Sequence, residues 1–154
     1  MPHESSCAGY LISDDPARLD VAAIHAYLAR SYWAAGVPHD IVERAVRHSL
    51  CLGLYTATGE QVGFIRVVTD YATFAWLCDV YVLEAHRGRG LSKAMMRAVM
   101  SHPGLQTVRR FTLGTRDAHG LYAQFGFTPV AKPENQMEKR NPQPWQTPAG
   151  PAPG

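Results

Sequence analysis

HRGRGLSKAMM, residues His86–Met96, joins two periodicities that belong to different secondary structures. Upstream, TFAWLCDVYVL (73–83) is rich in β-branched and aromatic residues and carries one charge, Asp79, in its middle, which reads as a hydrophobic strand. Downstream, Leu91, Met95 and Val99 recur at i, i+4 with Ala94 and Ala98 beside them, the signature of a helix with one apolar face. A strand entering a helix through a loop with Gly88 and Gly90 leaves several backbone N–H groups without partners at the positive end of the helix dipole. That arrangement binds anions. Glycine permits φ > 0 and close approach of a phosphate, and Arg87, Arg89 and Lys93 add positive charge. A pyrophosphate is the natural guest, although a merely solvated turn fits the loop taken alone. Two other phosphate loops are excluded: GxxxxGK followed by Ser or Thr is absent, and GxGxxG would need glycine where Lys93 stands.

The rest of the chain bounds what this junction can belong to. With 154 residues, 46% hydrophobic and 18% charged, it can bury one good core and has no room for two. A formal charge of +2 is too mild for a nucleic-acid-binding protein, which concentrates basic residues on one face. Cys7, Cys51 and Cys78 are odd in number and form no CxxC pair, which fits a reducing, cytoplasmic setting. The first ten residues lack the basic and apolar regions of a signal peptide, and no apolar run approaches the ~20 residues of a membrane span. The histidines include neither HExxH nor Cys/His zinc spacing; His86 and His119 read as surface or capping residues, and no metal is expected.

Along the chain, a short strand is expected over Tyr10–Ser13. A helix follows over about Asp20–Arg30, with Val21, Ile24, Tyr27 and Leu28 on one face, and a second helix after Pro38. LCLGLYTATGEQVGFIRVVTD (50–70) reads as two strands joined at Gly59, and 73–83 completes an antiparallel meander. After the Leu91 helix, VRRFTLGT (108–115) is a strand, DAHGLYAQFGF (117–127) holds a short helix stopped by Gly126, and NQMEKR (135–140) returns as a last strand. The tail from 141 to 154, rich in Pro and Gly, is expected to be extended or disordered unless Trp145 finds an anchor on the body.

The junction resembles the signature of the GNAT acyltransferase superfamily: arginine or glutamine, two residues, glycine, one residue, then glycine or alanine. Here it runs Arg87, Gly88, Arg89, Gly90, Leu91, Ser92, with Ser92 in the last position. TRDAHGLYAQFGF resembles the second signature, with Ala118, Tyr122, Gly126 and Phe127 in place and Thr115 where asparagine is usual. The order of elements over about Tyr10–Arg140 agrees. The resemblance implies an α/β (α+β) GNAT fold, a mixed and mostly antiparallel central sheet flanked by helices, with one domain over residues 1–140. It also implies acetyl-CoA as acyl donor, gripped by Arg87, Gly88, Arg89, Gly90, Leu91, Ser92 and Lys93 with Thr115 and Ala118 nearby. Backbone groups of Val80, Tyr81 and Val82 would pair with the pantetheine arm like an added strand and polarise the thioester carbonyl.

The implied reaction is direct attack of a primary amine on the thioester in a ternary complex. It needs a base for the ammonium and an acid for the departing thiolate. Tyr122 occupies the position of the family's general acid, and the alternative for it is packing of a helix on the sheet. Asp79, a lone carboxylate in an apolar strand, falls where many members carry a catalytic glutamate; the alternative is an ion pair with Arg66 on the neighbouring strand. Glu84 is the second choice of base. The implied acceptor region offers Tyr32, Trp33, Asp70, Tyr71, Phe74 and Trp76, aromatic walls with a carboxylate that suit a small cationic amine. Tyr32, Trp33, Phe74 and Trp76 are the candidate contacts. A protein lysine or N-terminus as acceptor, and a non-catalytic acyl-CoA sensor or partner-binding module, are the competing functions. A homodimer built on the meander or on the last strand is compatible with the sequence.

Overall fold

The protein is described by a computed structural model over residues 1–145. Six strands form one sheet in chain order: β1 (Glu4–Cys7), β2 (Tyr10–Ser13), β3 (Leu50–Tyr55), β4 (Gln61–Thr69), β5 (Phe74–Val82) and β6 (Arg110–Leu113). Neighbours are antiparallel except β5 and β6, which run parallel because α3 (Leu91–Met100) carries the chain back between them. Helices α1 (Val21–Ala29) and α2 (His39–Arg47) follow β2, and α4 (His119–Ala123) follows β6. Asp20 caps α1 by accepting from the Ala23 N–H at 3.0 Å.

The sheet is covered on both faces. On one, Leu52, Leu54, Ile65, Val67 and Leu77 pack with Met95, Met96 and Val99 of α3. On the other, Ile24 and Leu28 of α1 and Val42 of α2 close over Cys51, Phe64 and Tyr81. Burying each such side chain fully contributes roughly 1.5–3 kcal/mol, so the two layers hold the strands at fixed positions beneath the cleft described below.

Two strands differ from expectation. β1 precedes the first expected strand and joins it through Ala8 and Gly9, both at positive φ (51° and 83°), a two-residue hairpin turn. Its ESSC sequence is mostly exposed, so no hydrophobic alternation announces it. The strand expected over NQMEKR is absent; 136–140 is irregular and exposed. Met137 is its one apolar side chain and lies fully exposed, and Pro133 and Pro142 flank it, so pairing would bury almost nothing. A dimer built on that strand therefore has no strand to use. Of the expected tail, 146–154 lie outside the described residues, and 141–145 form a bend that brings Trp145 to the cleft described next.

Candidate active site

The site begins with an irregularity in β5. Phe64 pairs with Tyr81 and Arg66 with Cys78, so Ile65 faces two residues, Asp79 and Val80, in a β-bulge. Asp79 takes φ 52° to accommodate it. Strict alternation would put Asp79 on the α3 face with Ala75 and Leu77. The bulge turns it to the other face, where Oδ2 accepts from Arg66 Nε at 2.7 Å and Oδ1 from Trp33 Nε1 at 2.9 Å. It also changes the phase of the strand, bringing Tyr81 onto the α1 side, where its ring stacks on Tyr27 at 3.9 Å.

Pairing with β6 ends at Leu77 and Leu113, so β5 from Cys78 to Val82 has no neighbour on that side. The two parallel strands part there, and a cleft of about 1160 Å³ opens between them. Val80, Tyr81 and Val82 form a strand edge on the cleft that no other strand pairs, where an extended chain could add. Tyr122 of α4 closes the β6 side with Thr115 and Ala118, while Tyr32 and Trp33 from the α1–α2 connection close the other. Burial raises the Tyr122 phenol above its ordinary pKa of 10, with the charges of Tyr32 and Asp117 adding to it, so it carries its proton at neutral pH. Thr115 Oγ1 accepts from the Ala118 N–H at 3.0 Å and thereby shapes the entry to α4.

Beyond Val82 the cleft meets the glycine loop. Gly88 (φ 78°) and Gly90 (φ 74°) are left-handed, and a Cβ on either would meet no atom within 4 Å. Glycine is therefore required by conformation, with open space above it. Gly88, Gly90, Leu91, Ser92 and Lys93 line a depression of about 210 Å³ at the start of α3. The loop has the means to hold an anion: backbone N–H groups at a helix start, open space beside Gly88 and Gly90, and Arg89 and Lys93 exposed nearby. Arg87 is used differently from a free cation. Its Nε donates to the Val82 carbonyl at 2.8 Å and its Nη2 to Tyr27 Oη at 3.0 Å, so it ties the loop to β5 and α1.

Several candidates lie elsewhere. Glu84 does not line the cleft; Arg30 grips both its oxygens at 2.8 and 3.0 Å and, with the Arg87 charge, holds its pKa down at about 2. So low a pKa makes it a weak proton acceptor at neutral pH. Phe74, Asp70 and Tyr71 sit at the β4–β5 turn, outside the cleft; Asp70 accepts from the Thr73 hydroxyl and three backbone N–H groups, which hold its carboxyl well below the usual range. Trp76 does line the cleft. Sequence reasoning missed Arg116, whose Cζ stands 3.8 Å above the Tyr32 ring, and Arg140, and no motif marks either. Trp145, singled out in the sequence as the tail's anchor, lines the cleft with them.

Comparison with known proteins adds what geometry cannot. Residues 47–129 match the acetyltransferase (GNAT) domain. A Gibberella zeae protein provisionally named an acetyltransferase is 36% identical over 143 residues, covering 80% of this chain and 81% of that protein. A Xanthomonas campestris pv. campestris crystal structure, provisionally assigned to the same family, is 50% identical with a TM-score of 0.87 over 92% of this chain and all of that one. A Staphylococcus aureus protein of unknown function shares the fold at 20% identity and TM-score 0.68, over 86% and 99% of the two chains.

Proposed function

Because the chain belongs to the GNAT acetyltransferase family, we propose that it moves an acetyl group from acetyl-CoA to the primary amine of a small molecule, both substrates being held in the cleft at once. The observation that carries this reading is the parting of β5 from β6, which leaves the Cys78–Val82 edge open between the glycine loop and Tyr122. The donor, when bound, supplies an activated thioester. The chain's residues do the rest. The loop N–H groups from Gly88 to Lys93 hold the pyrophosphate, and the open edge of Val80, Tyr81 and Val82 aligns the arm. In this reading a β5 backbone N–H beside the bulge polarises the thioester carbonyl.

As the C–N bond forms and the C–S bond breaks, the nitrogen loses two protons and the sulfur gains one: the first leaves the ammonium before attack and passes on to solvent, and the second, shed by the tetrahedral adduct, replaces the one that Tyr122 gives to sulfur. Tyr122 holds a proton at Oη for the sulfur. Asp79, with one lone pair on each oxygen still available, takes the ammonium proton through water. Walls built from Tyr32, Trp33 and Trp76 favour a compact acceptor over a peptide laid in an acidic groove.

The test is calorimetric binding of acetyl-CoA followed by thiol release against a panel of amines. Binding with release for one amine class supports the reading. Binding with release only for peptides, or with none, would replace it by the protein-acceptor or sensor function. Absence of binding would refute the phosphate role of the loop.

A further inference from the structure

We propose that the acceptor amine also carries an anionic oxyacid group, and that Arg116, held over Tyr32, reads that group; this rests on the transferase reading above. The cleft is lined by five arginines, Arg30, Arg66, Arg87, Arg116 and Arg140, against two carboxylates, Asp79 and Asp117. Three of the arginines are engaged with the fold. Arg30 is gripped by Glu84, Arg66 by Asp79, and Arg87 spans Val82, Tyr27 and Glu84 at the loop end. Arg140 pairs with Glu138 at 3.3 Å in solvent, where such pairs are weak.

Arg116 differs. Among the described residues no carboxylate lies within ion-pair distance of it, and its Cζ rests 3.8 Å over the Tyr32 ring, a contact that uses none of its N–H donors. Those donors are arranged to take an oxyacid two at a time. Position supports the role. Arg116 lines the same cleft as Thr115, Asp117 and Tyr122, and the Tyr32 ring beneath it lines that cleft as well. Asp117 adds the opposite sign. A zwitterionic amine meets both charges, whereas a polyamine would find the Asp79 carboxylate already held by Arg66 and be opposed by Arg116.

The test uses the full chain, saturating acetyl-CoA and pairs of acceptors that differ only in the acidic group: β-alanine against β-alaninamide, O-phosphoethanolamine against ethanolamine, with putrescine as a cationic reference. The charged member of at least one pair is expected to show a tenfold or greater advantage in kcat/KM, carried by KM. The pair that responds distinguishes carboxylate from phosphate. R116Q should bring the ratio within about twofold, R116K should restore part of it, and the acetyl-CoA Kd should not change. Preference for putrescine or the neutral members, a ratio indifferent to R116Q, or a weakened acetyl-CoA Kd in R116Q would overturn this inference while leaving the transferase standing. Protein that binds acetyl-CoA but releases thiol with no amine would overturn the transferase reading, and this one with it.

Discussion

Arg66 Nε donates to Asp79 Oδ2 at 2.7 Å across the β4–β5 pair, with the two side chains only 19% and 10% exposed. Burial alone would lower the Arg66 pKa, but the Asp79 charge reverses this and leaves it raised. Removing one member of such a pair strands the other charge and costs about 3–5 kcal/mol. Asp79→Ala should therefore unfold at markedly lower denaturant concentration. The double variant R66M/D79L should regain much of that stability. If Asp79 accepts the substrate proton, activity will stay lost in the double variant; recovery of activity along with stability would reduce Asp79 to a structural role.

Tyr122→Phe removes one hydroxyl and keeps the packing against Phe127. Loss of a general acid is expected to lower kcat about 10²-fold or more. The melting temperature and acetyl-CoA affinity should hardly move. An unchanged kcat would leave Tyr122 as a packing residue.

Gly88→Ala and Gly90→Ala meet no steric neighbour, so their cost is conformational, on the order of 1–2 kcal/mol at each left-handed position. The loop relaxes by turning its N–H groups, and acetyl-CoA binding should weaken about tenfold in calorimetry. Gly53→Ala makes the contrast: its Cβ would collide with the Tyr55 ring inside β3, so it should lose more stability.

Burial pushes the Cys51 and Cys78 thiols up to about 12 from an ordinary value of 9. The folded state keeps its protons where the unfolded chain releases them, so stability is retained below pH 9 and falls as pH rises from about 9 towards 12. At pH 8 a thiol reagent should modify the half-buried Cys7 first, then the half-buried Cys78 on the cleft, whose thiol stays protonated, and reach the buried Cys51 only when the protein opens. Equal rates for all three would contradict the buried placement of Cys51.

Trp145 lines the cleft together with Arg140 while remaining 39% exposed. Trp145→Ala is expected to raise the acceptor KM several-fold with little effect on kcat or melting temperature, since one wall of the acceptor side is lost and no core contact with it. A fall in stability comparable to a core deletion would place the indole in the fold instead.

The sequence by itself determined the junction at His86–Met96, the meander from Leu50 to Val82 and the helix carrying Met95 and Val99, because period, turn glycine and helix start are properties of neighbouring residues. It singled out the glycine loop and Tyr122 through two spaced motifs, without the geometry that relates them. The sequence named Arg66 as a possible ion-pair partner of Asp79, but only the tertiary structure shows how the two meet: strict alternation would point Asp79 at α3, and a bulge set by pairing with β4 turns it to Arg66 and Trp33. It likewise withdrew Glu84, whose partner Arg30 lies 54 residues away, and brought Arg116 over Tyr32 from a distant loop. The edge strand β1 and the missing final strand follow the same rule. Each depends on what a partner segment can bury or pair, and that is a property of the assembled sheet rather than of any local run of residues.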